Sequence, residues 1–440
     1  MIVTLHPSDG PVRNTQIMQA FLDAGGTIRL EKPGTYDLMG PLYIGNDTAL
    51  EFGPGVTIRR VANPKSAHPF IVNKGLFTHE WNHHIRIEGL HLITNGVDLT
   101  HLSIYPGLRG HLAFLGVRNL VIRDYECLDL TLLGYGIHVC SFENILLEQL
   151  HIEGDKDGVH LSDGRDFTIR DSRFGTTDDG IALNAYDYCL STAVYGWLEN
   201  GLIENCCDLN AYKPTGHFCR MLAGTWEDWH DGMEVQNSTL AVHQGKLYSV
   251  GLPLPPKKPE KPLISHVPPE HDAGFVEWGG IPWRYVKQHD GRYDASCRNI
   301  TFRNITLRKP RVGFGFTLSG DLWANSAPRG VRLPLMEDLV FDGIHAECDL
   351  RYVFGVKCPT RHLRVCNSIL RGQIISATLF QNRAPEEYPC MDWFFSGVHI
   401  PQTADNFSDI APGLNLKMEF TGCSGGLPTL PSMDKEYPLS

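Results

Sequence analysis

The sequence predicts an all-β protein wound as a parallel β-helix, and two observations carry that prediction. The first is a short strand phrase that recurs along the chain: apolar, any, apolar, polar, then most often Asn, Asp or Gly. It appears as Ile85-Arg86-Ile87-Glu88-Gly89, Leu120-Val121-Ile122-Arg123-Asp124, Ile145-Leu146-Leu147-Glu148-Gln149 and Phe167-Thr168-Ile169-Arg170-Asp171. Later copies start at Gly201, Ile300, Leu339 and Leu363. Each reads as a short alternating strand ending in a turn former. The second observation is an offset of 22 between Tyr135-Gly136-Ile137-His138-Val139, Asp157-Gly158-Val159-His160-Leu161 and Asp179-Gly180-Ile181-Ala182-Leu183. The Gly and the apolar positions coincide in all three. One coil of a parallel β-helix has this length, and coils stacked about 4.8 Å apart bury an apolar face that none could bury alone. A β-sandwich would not hold register over three successive segments.

The elements follow in chain order. An N-terminal cap helix is expected around Asn14 to Ala24, and no strong amphipathic helix lies between the later strand phrases. Residues 1–225 form this cap and the first coils. The repeat breaks between Ala223 and Ala295, so 226–295 is an inserted loop and β module. It holds the stiff stretch Pro253-Leu254-Pro255-Pro256-Lys257-Lys258-Pro259 and two strand-like runs, from Gly245 and from Gly279. Its pattern resembles short modules inserted in phage tailspike-type proteins. Residues 296–440 resume the coils. From Pro401 onward, with Asp405, Asn406, Pro412, Gly413 and Gly425-Gly426, loops and a final cap are expected.

Composition excludes several classes. At 440 residues, 42% hydrophobic and 20% charged, the chain can bury a large core and is too apolar for disorder. No apolar run reaches the ~18 residues of a membrane helix. The start, Met1-Ile2-Val3-Thr4-Leu5-His6-Pro7, shows no signal peptide, so a cytoplasmic location is expected, or a secreted one if a leader has been removed. A net charge of −11 gives no basic footprint for nucleic acid and no polybasic membrane patch. It also makes a strongly anionic substrate less expected, although local charge can override this. The twelve Cys are irregularly spaced, with no C-x-x-C, and read as mostly buried reduced thiols. No metal site and no cofactor is expected. Oligomeric state is not readable, although an exposed β-helix flank can support a homo-oligomer.

The residues that could carry chemistry lie in two adjacent coils, Gly154-Asp155-Lys156-Asp157-Gly158-Val159-His160 and Thr176-Thr177-Asp178-Asp179-Gly180. The offset places Asp179 above Asp157 and Asp178 above Lys156. With Val159, Leu161, Ile181 and Leu183 inward, His160, Ala182 and Asn184 point outward, and His138 lies one coil away on the same face. Gly158 and Gly180 leave a floor without side chains, where a flat ring could rest. Three carboxylates this close repel, so at least one is expected to hold its proton near neutrality. Glycosidic cleavage needs such a set: one acid for the leaving oxygen and one carboxylate to activate water. A lone Asp-Gly is ordinarily a turn, but the doublet Asp178-Asp179 one coil from Asp157 is harder to explain structurally. Calcium binding by the trio is a second functional reading.

With offsets of 21 and 22 from Asp157 to Asp178 and Asp179, the chain resembles the polygalacturonase-like glycoside hydrolases (family 28) of the pectin-lyase-like right-handed β-helix superfamily. That family has an N-T-D-G coil followed one turn later by D-D. The N-terminus is similar too. Thr15 to Phe21, then Gly25-Gly26-Thr27-Ile28-Arg29-Leu30-Glu31-Lys32-Pro33-Gly34-Thr35-Tyr36, looks like the family's cap helix and first strand, continued by Leu50 to Ile58. The resemblance implies Asp178 as general acid, Asp157 and Asp179 as activators of water, and inversion with carboxyls ~6.5–9.5 Å apart. Departures are visible. Asn and Thr are replaced by Asp155 and Lys156. The G-H-G element is only partly present, as Gly216-His217-Phe218, and comes 38 residues after Asp179 instead of a single turn. Arg220 is the nearest candidate for the family's R-x-K element. These changes point away from ordinary galacturonan and towards another glycan.

Further candidates for substrate binding surround these. Trp226-Glu227-Asp228-Trp229-His230-Asp231 could be a subsite wall, with Trp226, Trp229, Glu227 and Asp231 its contacts, or an anchor for the insertion. Asn184, Tyr186 and Asp187 could line the groove or form a turn. Arg311, Asp321 and Trp323 could reach the same face, while Phe314 and Phe316 read as core. His138 and His160 could bind substrate. Three functions follow: a glycoside hydrolase acting on an oligo- or polysaccharide; another β-helix carbohydrate enzyme (lyase, epimerase or intramolecular glycosyltransferase), with Lys156 or Arg220 as the base of a lyase; or a non-catalytic glycan-binding, tailspike-like protein. Fold does not separate them.

Overall fold

A computed structural model describes residues 1–61, 68–99, 107–251, 263–321, 323–381, 383–401 and 407–428. The strand phrases stack rung upon rung. Ile85, Leu120, Ile145, Phe167, Gly201, Ile300 and Leu339 succeed one another in one parallel ladder, which Leu363–Cys366, Met391–Ser396 and Leu416–Thr421 extend. Register is fixed because a slip of one residue would turn each apolar position out of the core. The turn former closing each phrase has a left-handed backbone: φ is 51° at Asp124, 56° at Gln149, 52° at Asp171, 54° at Asn205, 52° at Asn304 and 48° at Asn367, with Gly89 and Gly343 likewise positive. Asn, Asp and Gly tolerate this region, where a branched side chain would clash. The side chains also link coils. The Asn205 amide donates to Asp171 at 3.0 Å, and the Asn304 amide to Asn205 at 3.2 Å.

Two further parallel ladders complete each coil. One runs through His151–Gly154, Arg173–Thr176 and Cys207–Asp208. The other runs through Val159–Arg170, Ile181–Asn184, His217–Leu222, Val312–Thr317, Tyr352–Val356 and Ile375–Ala377, and the acids sit in the turns that lead into its first two strands. Between the ladders lies one continuous apolar core. Its C-terminal half is an aromatic column in which Phe302 stacks on Phe341 at 4.8 Å and Phe395 on Phe420 at 4.9 Å. Phe314 and Phe316 belong to this column. All twelve cysteines are free thiols, seven of them buried.

The open N-terminal end is closed by the helix Pro11–Ala24, three residues longer than expected because Pro11 starts it. Its Asn14, Met18 and Leu22 are buried at spacing four, the face that a helix presents to one side. Gln19 accepts the Tyr43 N–H at 2.8 Å and donates to its carbonyl at 3.0 Å, tying the helix to an early strand. At the C-terminal end the described residues differ from the loop expectation. Ser408–Ile410, Leu416–Thr421 and Ser424–Gly425 continue the parallel coils. Asp405 and Asn406 lie outside the described residues.

The ladder passes from Leu198–Glu204 directly to Cys297–Leu307, and from His217–Leu222 to Val312–Thr317. The intervening chain forms a separate five-stranded sheet of Glu227–Asp228, Leu240–His243, Lys246–Val250, Ile281–Gln288 and Phe275–Trp278. It has its own small core, including Tyr248, Val250, Ile281 and Trp283. The Pro253 to Pro259 stretch lies outside the described residues. This module rests on a second excursion, residues 185–197. The Tyr186 hydroxyl donates to the Ser238 carbonyl at 2.5 Å, and the Arg284 guanidinium to the Thr192 carbonyl at 3.1 Å.

Candidate active site

The coil offset of 22 brings Asp157, Asp178 and Asp179 together, each offering an oxygen within 4.8 Å of the others. Asp157 and Asp179 are 1% exposed, whereas the Asp178 side chain is 33% exposed. Lys156 forms an ion pair with Asp178 and lies 4.0 Å from Asp157. Asp179 accepts the His217 backbone N–H at 2.9 Å and faces the His217 Nδ1 at 2.8 Å, with Arg220 ion-paired to its other oxygen at 2.9 Å. Burial opposes the charge on Asp179, but Arg220 and His217 outweigh it and hold the carboxyl below its ordinary range. Asp179 is therefore not the proton-holding carboxyl that like-charge repulsion suggested. Lys156, likewise against burial, is raised by Asp157 and Asp178 and remains an ammonium. The trio has the donors and spacing for a cation, but Lys156 and Arg220 already supply positive charge there.

His217 corrects a reading of spacing. Its 38 residues from Asp179 suggested more than one coil, yet His217–Leu222 is the next rung, with Cys219 beside Ile181 and Arg220 beside Ala182. The extra residues lie in excursions such as 185–197, outside the ladder. The same excursion explains why outward-pointing residues are not open to solvent. His138, His160, Asn184 and Asp187 are all 0% exposed. His160 is held between Asp157, at 2.8 Å, and Asp187, at 3.0 Å. Burial would discharge its ring, but both carboxylates outweigh burial and raise its pKa. Asn184 donates to Asp187 at 2.7 Å. His138 accepts the Arg109 N–H at 3.0 Å and is kept neutral by burial and by the charges of His160 and Arg109. His138, His160 and Asn184 are thus buried behind the acids, with His160 in direct contact with Asp157.

Gly158 and Gly180 do not floor the groove. A Cβ on Gly158 would meet the Gly180 carbonyl at 2.7 Å and the Phe174 ring, so these glycines serve inward packing. In register beyond Arg220 come Gly315, over which the His217 ring lies, and Gly355. Gly355 lines a cavity of about 530 Å³ together with His217, Arg220, Tyr188, Asp321, Arg351 and Lys357, among others. Trp323 stands at its rim, its ring 5.7 Å from Tyr188. The sequence reading missed Tyr188, Arg351 and Lys357. Arg351 precedes Tyr352, which follows His217 and Val312 in register, a signal hidden by the unequal coil lengths, whereas Tyr188 lies in an excursion with no periodic signal.

Arg311 is buried beneath the acid turn instead of facing the groove. It pairs with Asp208 at 2.7 Å and donates to the carbonyls of Thr176, Asp178 and Thr215 at 3.1, 2.5 and 3.0 Å. The Trp-rich segment does not join the site. Trp226 is 2% exposed and lines a different cleft, and the Trp229 indole donates to Ser265 at 2.9 Å inside the module. Asp231 is exposed beside His266, and Glu227 is half-buried at the start of the module sheet.

No protein-family model and no curated protein matches the chain. Solved structures do. The surface adhesin PfbA of Streptococcus pneumoniae aligns with a TM-score of 0.51 at 13% identity, over 93% of this chain and 87% of that one. The endo-xylogalacturonan hydrolase of Aspergillus tubingensis aligns with a TM-score of 0.47 at 12% identity, over 96% and 99%. The family 28 exopolygalacturonase of Yersinia enterocolitica aligns with a TM-score of 0.44 at 13% identity, over 94% and 76%. At such identities the likeness is one of fold: mostly β, with a long parallel ladder and few helices, as in right-handed β-helix structures. Fold does not select an activity.

Proposed function

We propose that the protein is a glycoside hydrolase in which Asp178 is the general acid and Asp157 and Asp179 activate water. The observation that carries this reading is the carboxylate trio on stacked coils, beside the cavity lined by His217 and Arg220. Asp178 is the most exposed of the three and so the one able to meet a leaving-group oxygen. Its proton passes to that oxygen as the glycosidic bond breaks. The attacking water bonds to the anomeric carbon and gives its proton to Asp157 or Asp179. When Asp178 is protonated, Lys156 keeps Asp157 as counter-ion at 4.0 Å, so no ammonium is left unpaired. The substrate is an oligo- or polysaccharide other than plain galacturonan, laid in the cavity lined by His217, Arg220, Tyr188 and Gly355. Direct attack by water inverts the anomeric carbon; one oxygen of each carboxylate lies within 4.8 Å of the others.

Lys156 as the base of a lyase is disfavoured, because its raised pKa keeps it protonated. The Lys156–Asp178 ion pair favours one second reading, glycan binding without cleavage, since it covers the acid. Product release from a broad oligosaccharide panel tests these readings. Wild type should release water-added products, and Asp178→Asn should lose ~10²-fold or more of that rate while keeping its melting temperature. Products one water short of those, with new ultraviolet absorbance and sensitivity to chelator, would mean a lyase. Equal inactivity of both proteins, with binding retained, would establish the second reading.

A further inference from the structure

Asp47, His84, Asn119 and Asn144 succeed one another up one corner of the early coils, all with φ between 53° and 55°. At the later rungs the link is an amide ladder, the Asn144 side chain donating to Asn119 at 2.6 Å. At Asp47 it is different. The Asp47 Oδ1 lies 3.0 Å from the His84 Nδ1 and 3.6 Å from the His83 Nδ1, and the two ring nitrogens are 3.2 Å apart. One proton cannot bond all three atoms well, whereas a cation between them can. Ligand atoms 2.0–2.1 Å from a tetrahedral zinc ion stand about 3.3 Å from one another. Edges of 3.0, 3.2 and 3.6 Å are close to one face of that tetrahedron.

The backbone beneath the triangle is tied down. The Asp47 N–H donates to the His83 carbonyl at 3.0 Å, and the Asn46 side-chain oxygen accepts the His83 N–H at 3.0 Å and the Asn82 amide at 2.7 Å. Asn82, 6% exposed, accepts the Gly75 N–H at 2.6 Å and the amide of the buried Asn73 at 3.0 Å. Ligands placed in this way lose less freedom on binding. Both rings make their polar contacts among the described residues through Nδ1, so each Nε2 can carry the proton of a neutral imidazole and leave Nδ1 to a metal. Asp47 has no Lys or Arg partner among the described residues. Arg118, in register with His83, lies over Trp81 at 4.8 Å and pairs with Glu143 at 3.0 Å. The acid trio, by contrast, already holds Lys156 and Arg220. We propose that Asp47, His83 and His84 bind a zinc-class divalent ion that fastens two successive coils, with water in the open fourth position. Two imidazoles suit such an ion and not calcium or magnesium, which take oxygen ligands. The proposal stands whether or not the trio is catalytic.

Calorimetry with zinc chloride, after chelator treatment and dialysis, tests it, with cobalt(II) absorption as a second readout. Wild type should bind one zinc ion per chain at this corner, and cobalt(II) there should show the visible bands of a four-coordinate nitrogen and oxygen site. His84→Asn supplies the residue that the same corner carries at Asn119 and Asn144, so the coil is kept. It and His83→Gln should each weaken zinc binding about 10-fold or more. Zinc should raise the melting temperature of wild type but not of His84→Asn, and Asp178→Asn should bind zinc as wild type does. Five outcomes overturn the proposal: zinc does not bind, both His variants bind it as wild type does, or calcium or magnesium binds more tightly. The other two are loss of the ion in Asp178→Asn, which places it at the trio, and cobalt–thiolate charge-transfer bands, which place it on a cysteine.

Discussion

Within the acid network, His160 is the residue on which the other contacts depend. Its ring is stacked on Tyr135 at 4.3 Å and bridges Asp157 to Asp187. Because its pKa is raised in the fold, the charged ring stabilises the folded state fully below the unfolded value, ~6.5, and this stabilisation is lost as pH rises through the folded value. Denaturant unfolding of wild type and His160→Gln between pH 5 and 8.5 should show the largest difference at the acid end. Parallel curves would mean that the bridge carries no charge. If Asp157 activates water, the variant should also lose activity mainly in kcat. The trio, Lys156 and His160 were legible in the sequence because one offset of 22 governs them all. Asp187 was seen only as a groove or turn residue, and its ion pair with His160 had no periodic signal, since it lies in an excursion that leaves the ladder.

The turn Thr176–Gly180, which presents Asp178 and Asp179, is held from below by two buried cations. Lys309 donates to the Thr176 carbonyl at 2.6 Å, and Arg311 binds three carbonyls while its other edge is satisfied by Asp208. Removing Asp208 would leave Arg311 buried and uncompensated. Asp208→Asn should therefore cost ~3–5 kcal/mol of stability, read as a lowered denaturation midpoint. Arg311→Lys should not restore the turn, because a point charge cannot serve several carbonyls and a carboxylate at fixed angles. Activity lower than the loss of folded protein explains would identify Arg311 as a positioning residue, and unchanged activity would exclude that role. At this scale the sequence was most readable where chemistry and backbone coincide. The residue closing each strand phrase was recognisable as Asn, Asp or Gly because the corner needs a positive φ. Arg311 pointed only to a general neighbourhood, as depth beneath a turn leaves no mark on spacing.

Across the whole molecule, each coil contacts chiefly the coil before and the coil after it, so stability should behave as a sum of neighbour terms. The exception is the middle, where the 185–197 excursion and the inserted module fasten several coils together through Tyr186, Arg284 and the amide of Asn237, which donates to the Trp323 carbonyl at 2.9 Å. At the N-terminal end the first coil is closed by Met18 and Leu22, 0% and 1% exposed. Leu22→Asp would bury a carboxylate with no partner, a penalty of several kcal/mol that lifting the cap helix relieves. Lifting the cap helix uncovers the apolar floor below it, while the edge of Gly26–Leu30 stays paired with Met1–Val3, and no contact in the acid coils is broken. Hydrogen exchange followed by mass spectrometry should then show lost protection over the first coils, up to about Glu88, with Asp157 to Leu222 protected as in wild type. The uncovered apolar floor should also promote association at high concentration. Loss of protection spread evenly from end to end would mean that the coils unfold as one unit, and that the cap, far from the acids, sets their stability.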